Sequence, residues 1–349
     1  MNVTIDVIFT LFLLNCVELL HCQNTLWVSN QDNRIEVDHT DLQEAIDAAG
    51  SGDRIMVYPS PTSYGDVVID KELYISGLGF DISANHDTHR ITTETQSSLI
   101  SKVSVTGAQG GSLEHLMINT IELTATGFLI KGVRIGFMEM ENCHDVVIRR
   151  CFIDPPTQID SRFLSGAARK RHCSIILSGD NSQIAIENSI FDGSRADSPV
   201  DSYHNVYQGY SSSYDGDIPG SSSNFTFDGN FLGHSVNTIP GSQFYNNIGR
   251  SMGGTNSILE NNYSSSTFEG VFVGYPTQSD HSFDQRYQLA PGSPALGAGR
   301  GGIDLGPFGG EDPYILSGLY DRPVVYQLDI PQNETTNSLD VRIKVRIND

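Results

Sequence analysis

Basic residues are scarce in this chain: 21 lysines and arginines stand against 42 aspartates and glutamates in 349 residues, a formal charge of −21. Such a surface repels a polyanion, which argues against bare nucleic acid as a partner. Cysteine is scarce too, and two of the five lie within the first 22 residues. The remainder, Cys143, Cys151 and Cys173, are too few and too unevenly spaced for a disulfide framework, and no CxxC or zinc spacing is present. They read as buried thiols, with one disulfide as the alternative; Cys151 and Cys173 are spaced to stack about one turn apart in a repeating fold. Long apolar runs are missing after the first two dozen residues, so the mature chain has no expected transmembrane span. Nucleophile elbow, P-loop and zinc motifs are likewise missing.

What is present begins with the apolar run from Val7 to Val17, which Glu18 interrupts. It has the length of a signal-peptide core and is too short to cross a bilayer, although MNVTID ahead of it carries no Lys or Arg. Residues 1–22 are expected to be a cleaved export signal, giving a secreted or cell-surface protein. The alternative is lipidation of Cys16 or Cys22 in an outer-membrane lipoprotein, for which LLNC and LLHC are poor acylation boxes.

A repeat organises the rest. Short apolar segments recur as ISGLGF (75–80), LEHLMI (113–118), IKGVRI (130–135), IRRCFI (148–153), IENSIF (186–191), FDGNFL (227–232), FYNNIG (244–249) and LENNYS (259–264). The unit is near 18 residues, and each longer gap holds either two units or one unit plus an insertion. A short alternating strand cannot bury its apolar face alone, whereas stacked units build a continuous core. Asn188, Asn246 and Asn261 share the third position, where an internal asparagine ladder is expected.

The ends of such a rod need caps. In DLQEAIDAAG (41–50), Leu42, Ala45, Ile46 and Ala49 share one helical face, with Thr40 and Gln43 as a capping box and Gly50 as the stop. This segment and the strand after it resemble the opening of secreted parallel β-helix proteins of the pectate-lyase-like and NosD-like kind. LAPGSPALGAGRGGIDLGPFGG (289–310) is similar to the segment that closes many of those solenoids. The resemblance implies an all-β, right-handed parallel β-helix over residues 23–310 and is nearly silent about activity. Beyond it, VVYQLDIP (324–331) and SLDVRIKVRIND (338–349) alternate as a β-hairpin, expected to make residues 311–349 a C-terminal extension docked on the last coil or adjoining loops.

Two gaps hold excursions that do not look like coil, at 154–172 and 192–223, and both follow the same strand of the repeat. They are expected to lie side by side on one lateral face of the rod. The first is basic, with Arg162, Arg169, Lys170, Arg171 and His172; the second is acidic and aromatic, with Tyr203, His204, Tyr207, Tyr210 and Tyr214. Aromatic faces stack on sugars, and arginine forks match carboxylates, so Arg162, His204 and these tyrosines are the ligand-binding candidates for a polysaccharide or cell-surface partner. A solvated decoration whose opposite charges pair with each other is the plainer reading.

An acidic-polysaccharide lyase is the enzymatic alternative. It would use Arg169, Lys170, Arg171 and His172 to take a proton and neutralise a uronate, with calcium as the cofactor. Asp192, Asp197, Asp201, Asp215 and Asp217 are the carboxylates available to calcium, although Asp215-Gly216-Asp217 lacks the rest of a calcium loop. The ordered motifs of galacturonan hydrolases are missing. A structural spacer is the third reading.

Overall fold

The computed structural model describes residues 23–31, 36–81, 85, 97–154, 173–192, 204–208, 223–236, 239–253, 256–274, 281–320, 324–329 and 342–346. Two sheets, A of ten strands and B of eleven, are made wholly of parallel pairs. The chain passes alternately between them, which makes it a parallel β-helix, right-handed as parallel crossovers are. The ten-stranded sheet A runs from Thr25–Val28 to Ile258–Glu260, roughly 43 Å at the spacing of hydrogen-bonded strands.

The repeat is in register throughout. Ile75, Leu113, Ile130, Ile148, Ile186, Phe227, Phe244 and Leu259, the first residue of each unit, pair in one column, and Ile55 and Leu26 extend it upstream. Strands Tyr74–Ser76 and Ser112–Glu114 are direct neighbours, as are Val147–Arg149 and Ala185–Glu187. Each long gap is therefore one coil with an insertion, not two coils.

At the third position the backbone turns left-handed. His115, Gly132, Arg150, Asn188, Gly229, Asn246 and Asn261 have φ between 45° and 65°. Asparagine and glycine adopt this region at least cost. The turn directs the fourth and sixth residues of the unit inward and the fifth outward. The asparagine ladder is accordingly one residue later than expected. Asn230 donates to Asn247 Oδ1 at 3.0 Å, and Asn247 to Asn262 Oδ1 at 3.0 Å. The same oxygens accept the next backbone N–H, and Ser189 and Cys151 continue the row toward the N-terminus. The rung neighbours of Cys151 are Val133 and Ser189; Cys173 sits instead in the Cys173–Ser178 strand of sheet B. Cys143 and Cys151 are free thiols in the core.

The N-terminal cap is the helix Leu42–Ala48, which buries Leu42, Ala45 and Ile46 over the first rungs. Its N-cap is Asp41, not Thr40: the Asp41 carboxylate accepts from Glu44 N at 3.0 Å. Gln43 is consequently free of a capping role and bonds both the N–H and the carbonyl of Val68, pinning the helix to sheet B.

The far end holds a larger correction. The fifth residues of the units, Met117, Arg134, Phe152, Ile190, Phe231, Ile248 and Tyr263, line up on the outside of sheet B. Phe152, Ile190, Phe231 and Ile248 are nevertheless fully buried, because residues 268–274 and 281–320 return along the rod and cover them. Phe231 meets Phe268 and Phe272 edge-on at 5.2 and 5.0 Å and lies 4.8 Å from Tyr287. The returning strap follows the left-handed corner. Asn246 Oδ1 accepts from Arg300 N, Asn188 donates to the carbonyls of Pro307 and Gly309, and Arg150 pairs with Asp312. His115 Nδ1 meets the Gly318 carbonyl at 2.6 Å, and Tyr320 OH donates to the Gly77 carbonyl. A Cβ on Gly132 would meet His115 Nδ1 at 2.9 Å, so the strap's seat there requires glycine.

The rod and its strap thus continue to Tyr320, ten residues past the expected boundary. Strands Val324–Asp329 and Arg342–Arg346 pair antiparallel as expected for the hairpin. Its start, however, is four residues from Tyr320, which is held at the third strand of sheet A, seven rungs from the last. Four residues reach about 14 Å and seven rungs span about 34 Å, so the hairpin begins nearer the first coils than the last.

Asn247→Ala strips partners from Asn230, Phe227 and Asn262 and is expected to cost about 3 kcal/mol, against about 1 kcal/mol for Asn261→Ala at a left-handed corner. Urea denaturation midpoints measure both, and the reverse order would place the ladder at the third position after all. Burial pushes the Cys151 thiol up to about 12 and raises Cys143 as well. In a variant carrying serine at 16, 22 and 173, neither thiol should react with a disulfide reagent until urea unfolds the chain.

Candidate functional site

The two insertions leave the rod from the same corner. Phe152–Ile153 and Ile190–Phe191 are paired strands of sheet B, with Ile153 opposite Phe191, so Asp154 and Asp192 stand on successive rungs. The backbone N–H of Asp192 donates to Ile153 and that of Asp154 to Ile135. The chain comes back to neighbouring positions as well, since Cys173–Ser178 pairs with His204–Gln208. His204–Gln208 is itself a strand of sheet B, so the second excursion is two segments, 193–203 and 209–222, separated by a rung of the rod.

Both roots are tied to other parts of the chain. Arg134 lies in the otherwise apolar outer column, its guanidinium 4.7 Å from the Phe283 ring centre and 5.9 Å from that of Phe152. It pairs with Asp81 and, at 2.8 Å, with Asp154. Burial alone would lower its pKa; the two carboxylates outweigh burial and hold it above the ordinary guanidinium value. Arg286 of the strap reaches Asp192 at 3.0 Å, and Tyr287 OH donates to the other oxygen of the same carboxylate.

A third carboxylate, fully buried, ties the strap to itself and to Asn85. Asp284 accepts from Asn85 Nδ2 at 2.9 Å, Ser282 Oγ at 2.9 Å, Tyr314 OH at 3.1 Å and Ser317 N at 2.7 Å. Burial, followed by the Asp284 charge, raises the Tyr314 phenol well above its ordinary value and keeps it a donor. Sequence reasoning missed Asp81, Arg134, Asp284, Arg286 and Tyr287. The one available signal was Arg134, a charge interrupting an apolar column at the fifth position of the repeat.

Of the binding and metal candidates, Asp192 is described with both oxygens engaged by Arg286 and Tyr287. His204 and Tyr207 are placed by their backbone on the sheet B strand, opposite Cys173 and Ile176. Arg162, Arg169, Lys170, Arg171, His172, Tyr203, Tyr210, Tyr214, Asp197, Asp201, Asp215 and Asp217 lie outside the described residues. Among the described residues, no group of three or more His, Cys, Asp or Glu side chains is placed to hold a metal. No described helix is long and apolar enough to cross a membrane.

On sheet A the second positions from Glu114 to Asp228 carry charge, and Glu187 and Asp228 are neighbours there. Burial raises the Asp228 pKa, Asn246 donating to it lowers it, and the Glu187 charge adds to the rise.

No family model matches the chain, and no curated protein does. Among solved structures, the crystal structure of pectate lyase Pel9A aligns over 82% of this chain and 96% of that one, at 12% identity and a TM-score of 0.38. Nothing about activity follows from a likeness at that level.

Replacing Asp284 with alanine should cost about 3 kcal/mol by stranding buried donors. Limited trypsinolysis should then cut at Arg286 and Arg300 before the coils unfold; equal protection of strap and coils would show that Asp284 does not anchor the strap. A carboxyl with a raised folded pKa binds its proton more tightly in the native state. The contribution from Asp228 is therefore present in acid and lost as pH rises through the raised value. Asp228→Asn should stabilise the protein at pH 7, with the gain vanishing below about pH 4; thermal unfolding across that range measures it.

Proposed function

We propose that this protein is exported and binds polysaccharide through the lateral face formed by its two insertions, without turning the ligand over. The observation carrying this reading is that Asp154 and Asp192 stand on successive rungs, so the first insertion and the 193–203 segment of the second leave one corner of a rigid rod. A binding surface needs its loops rooted on ordered elements. Here the roots are held by Arg134 from the rod and Arg286 from the strap. The same pairs favour binding over lyase chemistry, because a carboxylate held by an arginine serves as an anchor, not as a free base or calcium ligand.

Arg162, Arg169, Lys170 and Arg171 then meet uronate or sulfate groups, and Tyr203, Tyr207, Tyr210 and Tyr214 stack on sugar rings. A cell-surface glycan is the partner class this chemistry fits.

The purified chain is incubated with neutral and acidic polysaccharides, with and without calcium, while the ultraviolet absorbance of unsaturated uronate is followed. The expected result is a flat trace together with retention of the protein on an acidic polysaccharide. Replacing Arg169, Lys170 and Arg171 together with alanine should weaken that retention about tenfold, equivalent to about 1.4 kcal/mol. A calcium-dependent rise in absorbance identifies a lyase and overturns the binding reading. Retention unaffected by the triple substitution removes the loops from it.

A further inference from the structure

The first rungs of sheet A carry a feature that the lateral face does not use. In the strand Thr25–Val28, Leu26 packs against the core and Val28 is fully buried, so Trp27 between them points outward, 40% exposed. Its ring lies 5.4 Å from that of Tyr58, with 34° between the planes. Met56 is opposite Trp27 on the adjoining strand and supplies apolar surface beside the indole.

Both aromatic residues are held by their backbones. Trp27 N donates to the Asp38 carboxylate at 2.7 Å, and its carbonyl accepts from the N–H groups of Asp38 and His39. Tyr58 N donates to the Val28 carbonyl at 2.9 Å, and Tyr64 OH donates to the Tyr58 carbonyl at 2.8 Å. Two rings with two side-chain torsions each, on a pinned backbone, lose little entropy when a sugar face lands on them.

We propose that Trp27 and Tyr58 form a stacking platform for a neutral polysaccharide, separate from the lateral loops. The tilt between the rings leaves an angled apolar surface that suits the C–H face of a pyranose and is poorly matched to another flat ring. Around it stand groups that bond hydroxyls: the exposed Asp38 carboxylate and, further along the same face, Arg54, in register with Thr25 and Tyr74. Carboxylates accept from sugar hydroxyls and repel uronates. With 42 acidic residues against 21 basic ones in the chain, the platform favours an uncharged glycan. A protein partner seated on the tryptophan is the competing occupant, and the test separates it.

Trp27 is the one tryptophan in the sequence, so tryptophan emission reports this position alone. The full chain is titrated with cellohexaose, mannohexaose and polygalacturonate while emission is recorded. A neutral hexasaccharide should give a saturable blue shift, with half-saturation raised at least tenfold in Tyr58→Ala. Circular dichroism of that variant verifies its fold. The same shift should survive replacement of Arg169, Lys170 and Arg171, which keeps this proposal distinct from the lateral-face reading. Flat emission with both neutral sugars, as expected if a protein is the occupant, overturns the proposal. So does a shift given by polygalacturonate alone, or one that Tyr58→Ala leaves intact.

Discussion

At the third position of each repeat the backbone enters the left-handed region, and that one conformation decides where its neighbours point. The side chain at the corner is carried out of the core, the next residue is turned in, and the one after that is turned out. The inward fourth position holds the polar ladder of Asn230, Asn247 and Asn262, whose amides satisfy one another and the adjacent backbone. The outward fifth position holds Phe152, Ile190, Phe231 and Ile248, a hydrophobic column that no single coil can shelter.

The strap answers that second column, and it uses the corner to find its place. Asn188, Asn246, Arg150 and His115 are left-handed residues whose side chains bond residues 300–318. Asparagine is at home in that conformation; Arg150 and His115 are not, and hold it through their contacts with Asp312 and Gly318. The insertions leave from the next corner along, where Arg134 and Arg286 bind their roots. Core, strap and candidate binding face therefore share one geometric origin.

Much of this was legible in the sequence. The repeat fixes the register of sheet A from Ile75 to Leu259, and the apolar face of Leu42, Ala45 and Ile46 marks the helical cap. What periodicity alone cannot decide is which of two adjacent asparagines takes the corner. In FYNNIG both Asn246 and Asn247 fit, and only the three-dimensional path separates an outward bond to the strap from an inward ladder. The outward phenylalanines were hidden for a related reason: an apolar residue in a strand reads as core wherever it points. The strap's course was hidden as well, because its contacts join residues far apart in sequence, such as Ser317 to Asn85 and Tyr320 to Gly77. Of the candidate site, the shared exit of the insertions was foreseen, while the ion pairs at its roots were not, since Asp284 and Arg286 stand in an unremarkable stretch of sequence.

A stack of coils can grow one rung at a time as the chain emerges, each new rung templated by the last. The outer column cannot be finished that way. Its cover arrives with residues 268–274 and 281–320, after every rung has been laid down, and then travels back over them toward the start. Until that stretch is made, the rod is a half-dressed object with a bare aromatic seam; afterwards, coils far apart on the axis are stitched together. Premature termination before the strap should thus bare the outer column from Phe152 to Ile248, not only the tail of the rod, and assembly has a final closing step, like a zip pulled in the opposite direction to synthesis.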